Sequence, residues 1–93
     1  MKRKVLLPAS ISRAIRAFGL SRDVLVELLS HIHEGIPRDY EMLRHHRTED
    51  VRYYKHRIVI TTQDGREHLF LVIVDDTTSP DHLQIAKIGH GLL

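Results

Sequence analysis

The length, composition and charge of the sequence restrict the class of protein. With 93 residues, 42% of them hydrophobic, the chain is expected to form one folded domain over residues 1–93 and not to be disordered. It has no cysteine, which excludes a disulfide framework and a thiolate metal site, and its net charge of +2 weakly favours an anionic partner. No stretch approaches the roughly 20 apolar residues of a membrane-spanning helix, so we expect a cytoplasmic protein with no membrane partner.

The first part of the chain predicts one strand followed by two helices. KVLLP at 4–8 is interpreted as a short strand ended by proline, not as a secretory leader. Apolar residues then recur at helical spacing in two stretches only two or three residues apart, which predicts an antiparallel helical hairpin. The two stripes are Ile11, Ala14, Ile15 and Phe18, and then Val24, Leu25, Leu28, Leu29 and Ile32. Ser10 and Ser21 are predicted caps, Gly19 is predicted to end the first helix, and Gly35 with Pro37 is predicted to end the second.

The second part of the chain predicts three strands. Residues 38–52 carry poor signals, although DYEMLRH at 39–45 could form a helical turn. From residue 53 the pattern is strand, Asp-Gly turn, strand, a loop at 75–81 and a last strand at 82–90. The order β-α-α-β-β-β predicts an α+β fold, in which the N-terminal helical hairpin packs on one face of an antiparallel sheet. In the last strand, either the pair Leu83 and Ile85 or the pair Ala86 and Ile88 is expected to face the core.

The turn at Asp64-Gly65 determines which surface each candidate site residue occupies. If these two residues form the whole turn, Gln63 pairs with Arg66 and side chains alternate between two faces. The face expected beneath the helices is aliphatic: Ile58, Ile60, Leu69, Leu71 and Ile73. The other face contains Tyr53, Lys55, Arg57, Val59, Thr61, His68, Phe70, Val72 and Val74. A slip of one residue would exchange the faces.

The second of these faces has a composition typical of RNA binding. Cations contact phosphates and rings stack on bases. The alternative is that Lys55 and Arg57 only keep an exposed sheet soluble. The residues assigned to RNA binding are Tyr53, Lys55, Arg57 and Phe70, together with Arg13 and Arg16, which lie off the apolar stripe of the first helix.

The chain resembles a known family. The element order, YYKHR at 53–57 and IAKIGH at 85–90 are similar to the RelE/ParE superfamily of bacterial toxin–antitoxin systems. The resemblance implies a RelE-like toxin that cuts mRNA in the ribosomal A site without a metal or cofactor and is inhibited by a cognate antitoxin protein. Two alternatives stay open: a gyrase inhibitor, as in the ParE branch, and a non-catalytic RNA- or ribosome-binding protein on the same fold. Gly91, where many members have a catalytic arginine, favours the non-catalytic alternative.

The resemblance also implies which residues form the active site. Lys55 and Arg57 match the basic residues of the family's second strand. His68 or Arg66 lies near the position at which the third strand usually supplies an arginine. His90 matches the His or Lys that commonly follows the terminal glycine.

Metal-free RNA cleavage explains what these residues would do. A base must take the proton of the 2′-OH, cations must stabilise the phosphate, and an acid must protonate the leaving 5′-oxygen. We predict His68 as the acid or base, Lys55 and Arg57 as phosphate ligands, and Arg66 or His90 as a further catalytic group. This centre requires Lys55 and Arg57 to share a surface with His68. No metal site is predicted, because no helical histidines have the i, i+4 spacing that collects ligands.

Overall fold

The computed structural model describes residues 3–43 and 53–93 and confirms the predicted α+β class. The elements are β1 (Lys4–Leu6), α1 (Ala9–Ala17), α2 (Arg22–Ser30), a π-helical turn (His31–Gly35), α3 (Ile36–Leu43), β2 (Tyr53–Thr61), β3 (Glu67–Ser79) and β4 (His82–Leu92). The first helix ends as predicted, since Gly19 follows it at φ 66°. Ser21 caps α2 by accepting from the Val24 N–H at 3.5 Å. Ser10 is not a cap, because it lies inside α1 and Pro8 occupies the cap position.

The four strands form one sheet in the order β1-β4-β3-β2. β2 and β3 are antiparallel, and so are β3 and β4, whereas β1 runs parallel to β4 with Val5 opposite Leu83. The prediction of a wholly antiparallel sheet is therefore wrong for β1. The helices take the chain from one edge of the sheet to the other, so β1 pairs with the last strand and not with the next one.

The second predicted helix does not end at Gly35 and Pro37. Gly35 lacks the positive φ of a C-terminal glycine, and the chain continues through the π turn into α3. In this turn the Ile36 N–H donates to the His31 carbonyl, which is five residues earlier. Pro37 then lies in the first turn of α3, where its missing N–H costs little.

A single hydrophobic core lies between the helices and one face of the sheet. From the helical part, its buried members are Ile11, Ile15, Val24, Leu28, Ile32, Ile36 and Tyr40. From the strands, they are Ile58, Ile60, Phe70, Val72, Val74, Leu83, Ile85 and Ile88. The prediction that the helices pack on one face of the sheet is confirmed.

The register of the β2–β3 hairpin differs by one residue from the prediction. Thr61 pairs with Glu67, so the loop has three residues, 63–65, and not two. The Gly65 N–H donates to the Thr62 carbonyl at 3.0 Å, and Gly65 has φ 86°, as expected for a type I turn followed by a left-handed residue. The Thr62 hydroxyl accepts from the Arg66 N–H at 3.1 Å and also bonds the Asp64 carboxylate, which stabilises the longer loop.

This register exchanges the two faces of β3. Phe70, Val72 and Val74 are fully buried beneath the helices, whereas Leu71 is 47% exposed on the opposite side. Leu69 and Ile73, also predicted to be in the core, lie on that same outer side. The face assignment was correct for β2 and wrong for β3, because the β3 sequence is apolar at both parities and its alternation does not distinguish core from surface.

A bulge in β4 places residues from both predicted pairs in the core. Ile73 is opposite Lys87 and Val74 is opposite Ile85, so Ala86 is an extra residue. Leu83, Ile85 and Ile88 are buried on the two sides of this bulge, and Ala86 is exposed. The predicted loop at 75–81 is also largely strand, since β3 continues to Ser79 through a second irregularity in the pairing.

Candidate functional site

A groove lies where the α1–α2 turn passes over the tip of the hairpin and the end of β4. Its volume is about 1010 Å³. The lining residues that matter for its chemistry are Phe18, Arg22, Ile60, Arg66, His68 and His90. Arg66, His68 and His90, which were predicted from sequence as catalytic, therefore line the same groove.

His68 and His90 are hydrogen-bonded to each other at this groove. His68 is opposite Leu92 and Phe70 is opposite His90, so the two histidines are diagonal neighbours on the helix-facing side of β3 and β4. His68 Nδ1 lies 2.9 Å from His90 Nε2. One ring must donate its proton and the other must accept it, since neutral imidazole has one N–H.

The rings of this histidine pair meet edge to edge. Their planes differ by only 16°, and their centres are 5.2 Å apart although the facing nitrogens are 2.9 Å apart. Two nitrogens that bound one tetrahedral metal ion at about 2.0–2.1 Å each would be about 3.3 Å apart. The arrangement is thus that of a shared proton, and within residues 3–43 and 53–93 no three His, Cys, Asp or Glu side chains are grouped to hold a metal ion.

Two phenylalanines support the pair. The His90 ring centre is 5.1 Å from that of Phe18 and 4.9 Å from that of Phe70. Burial, and to a smaller extent the neighbouring His68, lowers the pKa of His90. Phe70 itself is completely buried, so the prediction that it stacks on RNA bases is wrong.

Lys55 and Arg57 point away from this groove. They alternate with the buried Ile58 and Ile60, so their exposed side chains are on the sheet surface that faces away from the helices. His68 pairs with Ile60 and is on the helix-facing side. The prediction that Lys55, Arg57 and His68 share one surface is wrong, and the active centre built on that surface does not exist in that form.

The groove has a mixed charge. Arg22 follows the cap of α2, and Arg66 Nε lies 3.5 Å from Asp64 Oδ2 at the exposed hairpin tip. Hydrogen bonding from Thr62 lowers the pKa of Asp64, so this carboxylate is ionised. Asp23 and Glu27 also line the groove. An anionic ligand must therefore displace Asp64 from Arg66 or approach from the Arg22 side.

The other predicted RNA-binding residues are not brought together. Arg13 and Arg16 are exposed on α1 and do not line the groove. The side chain of Tyr53 is outside the described part of the structure. Sequence reasoning missed Phe18 and Arg22, because their place beside the histidines depends on how the α1–α2 turn crosses the sheet.

Sequence reasoning also missed a second histidine contact, which is partly buried. His56, on the helix-facing side of β2, has Nε2 3.5 Å from Asp39 Oδ2 of α3, and its side chain is only 12% exposed. Burial lowers the pKa of His56. The nearby charge of Asp39 raises this pKa to a smaller extent, and the nearby His31 lowers it further. The pair joins the last helix to the edge strand.

These lowered pKa values predict a loss of stability in mild acid. In the unfolded chain these histidines become protonated near pH 6.5, whereas in the native protein His56 and His90 become protonated only at lower pH. Between these pH values the unfolded state therefore binds more protons than the native state. Because of this difference, the free energy of unfolding falls as the pH is lowered from about 7.5 to about 5.5. Urea unfolding at both pH values measures this loss. We expect the loss between the two pH values to be smaller in His56→Gln than in the unmodified protein, with exposed His33→Gln as the matched control. An unchanged pH dependence in His56→Gln would contradict the expectation.

Comparison with known proteins identifies no relatives: no family model, no curated protein and no solved structure matches this chain. No helix within the described ranges is long and apolar enough to cross a membrane. The fold and the groove therefore define an α+β domain with a histidine pair, and its function has to be argued from that site.

Proposed function

We propose that this protein is a RelE-like mRNA endoribonuclease, the toxin of a type II toxin–antitoxin pair, whose centre is the groove and contains neither Lys55 nor Arg57. The observation that supports this most is the 2.9 Å hydrogen bond between His68 and His90. The family resemblance assigns a role to both residues, and Arg66, the third residue that it assigns nearby, lines the same groove.

A shared-proton pair can perform both proton transfers of RNA cleavage. In one tautomer His68 Nδ1–H donates to His90 Nε2, which leaves His68 Nε2 as a base and His90 Nδ1–H as an acid. His68 Nε2 takes the proton of the 2′-OH, the proton between the rings moves to His90, and His90 Nδ1 gives its proton to the leaving 5′-oxygen. The products are a 2′,3′-cyclic phosphate and a 5′-OH, and exchange with water restores the starting tautomer.

Without Lys55 and Arg57, the phosphate has to be stabilised by the two arginines of the groove. Arg22, at the start of α2, and Arg66, at the hairpin tip, both line the groove. The Arg66 side chain is 72% exposed and its contact with Asp64 is an exposed pair, so exchanging Asp64 for a phosphate oxygen costs little.

The proposal is tested with the purified protein and bacterial ribosomes programmed with a labelled mRNA. We expect cleavage at the A-site codon and a 5′ fragment that ends in a 2′,3′-cyclic phosphate. In cells, a cognate antitoxin expressed from the same locus should relieve the growth inhibition.

Two other outcomes would replace the proposal. Intact mRNA with retained binding to the ribosome would support the non-catalytic RNA- or ribosome-binding alternative. Intact mRNA with DNA damage in expressing cells would support a gyrase inhibitor.

A further inference from the structure

The sheet surface that faces away from the helices, here termed the open face, combines exposed aliphatic side chains with cations. Its aliphatic and basic members on the three long strands are Lys55, Arg57, Val59, Leu69, Leu71, Ile73 and Lys87. Val59 is 46% exposed and Leu71 is 47% exposed. Contiguous exposed aliphatic groups on a sheet surface are typical of an interaction site.

The open face is arranged in three parallel rows. Along β3 runs the aliphatic row of Leu69, Leu71 and Ile73. On the β2 side Arg57 is opposite Leu71 and Lys55 is opposite Ile73. On the β4 side Lys87 is opposite Ile73. The aliphatic row is thus flanked by positive charge on both sides.

Neither the charges nor the surface have a partner within the described residues. No carboxylate there forms an ion pair with Lys55, Arg57 or Lys87. The acidic residues of this face on β3 are Glu67, at the hairpin end, and Asp75, which follows Ile73 at the other end of the row. Gly89 and Gly91 are opposite Leu71 and Leu69, and a methyl group added at either glycine would meet no atom within 4 Å, so the β4 side of the row is open. The face can receive side chains from outside.

The chemistry of the open face selects among possible occupants. A second copy of the same face would oppose its cations to cations, which is unfavourable. RNA would satisfy the cations but leave Val59 and Leu71 uncovered, and no aromatic side chain described on this face could stack on a base. A protein segment with both acidic and aliphatic side chains satisfies both features.

The dimensions of the face fit a helix. Neighbouring strands are about 4.8 Å apart, so Lys55 and Lys87, on the two sides of β3, are separated by about 10 Å across the sheet. An α-helix with its side chains is about 10–12 Å wide. We propose that the open face docks an acidic amphipathic helix of a partner protein, which lies along β3 with its apolar stripe on Leu71 and carboxylates on both flanks. This proposal does not rest on the proposed nuclease function.

The test uses a synthetic 18-residue helical peptide whose leucine stripe is flanked by glutamates, a scrambled peptide of the same composition and a single-stranded RNA. Fluorescence anisotropy measures affinity, and backbone amide NMR shifts locate the site. We expect the amphipathic peptide to bind at least tenfold more tightly than the scrambled one, with shifts confined to β2, β3 and β4 residues of the open face.

Substitutions separate the two features of the open face. Leu71→Ser and Lys55→Glu should each weaken peptide binding at least tenfold, and Val59→Ser provides a second aliphatic variant if Leu71→Ser unfolds. Arg66→Ala, in the groove, is the matched control and should bind normally. The proposal is overturned if the scrambled peptide binds as tightly as the amphipathic one, or if neither peptide binds. It is also overturned if the RNA binds more tightly than the amphipathic peptide and Leu71→Ser does not change the affinity for RNA.

Discussion

Replacing His68 or His90 with alanine is expected to lower the rate of the proposed mRNA cleavage by about 10²–10⁴-fold, the usual contribution of a positioned acid–base group. Each substitution removes one end of the proton path through the 2.9 Å hydrogen bond. Because the two rings act as a unit, the double variant should be no slower than the slower single variant. The measurement is the single-turnover rate at saturating programmed ribosomes.

Two kinds of variant separate a catalytic role from a structural one. His68→Gln and His90→Gln keep a hydrogen-bonding side chain but cannot transfer a proton, so they should fold normally and still lose cleavage. Exposed His33→Ala and open-face Lys55→Ala should leave the rate at saturation unchanged, since neither side chain lines the groove. If Lys55→Ala abolishes cleavage while His68→Gln does not, the groove is not the active centre.

Replacing Phe70 with alanine is expected to have the largest effect on stability, a loss of about 3–5 kcal/mol in the free energy of unfolding. Phe70 is completely buried and contacts both Phe18 and His90, with ring centres 6.2 Å and 4.9 Å away. Truncation removes apolar area from the core and leaves a cavity that the sheet cannot close. Urea unfolding at neutral pH measures the loss.

Leu71→Ala is the matched control, because it truncates the next residue on the opposite face. With 47% of Leu71 exposed, we expect it to cost less than about 1 kcal/mol. The comparison tests the hairpin register directly. A large loss in Leu71→Ala with a small loss in Phe70→Ala would indicate the two-residue turn and would return His68 to the surface of Lys55 and Arg57.

Much of the fold follows from local patterns. The stripe from Ile11 to Phe18 predicts α1, Gly19 predicts its end and Ser21 predicts the cap of α2, because each of these features acts over one or two helical turns. The later strands follow from β-branched runs bounded by turn residues. The end of α2 did not follow, because the π turn that accommodates Pro37 is stabilised by packing of the buried Ile32 and Ile36 and not by a local signal.

The candidate site was predicted only in part. The residue types and their approximate positions led to Arg66, His68 and His90, which line one groove, and to Lys55 and Arg57, which lie on the opposite face of the sheet. One additional loop residue in the hairpin accounts for the difference. In a strand, a shift of one residue moves each side chain to the opposite face.

The sequence by itself determined β1, α1, the start of α2 and the strands β2 and β4, together with the α+β class and the core face of β2, since these depend on neighbours a few residues away. It did not predict α3 or the continuation of β3 through residues 75–79. Only the tertiary structure decided the parallel pairing of β1, the core face of β3 and the contact of His68 with His90. The β3 sequence is apolar at both parities, so its two faces compete nearly equally until the helices cover one of them. The burial of Phe70 instead of Leu71 determines which face of β3 is in the core. It thereby also determines that His68 lies beside His90 and not beside Lys55 and Arg57.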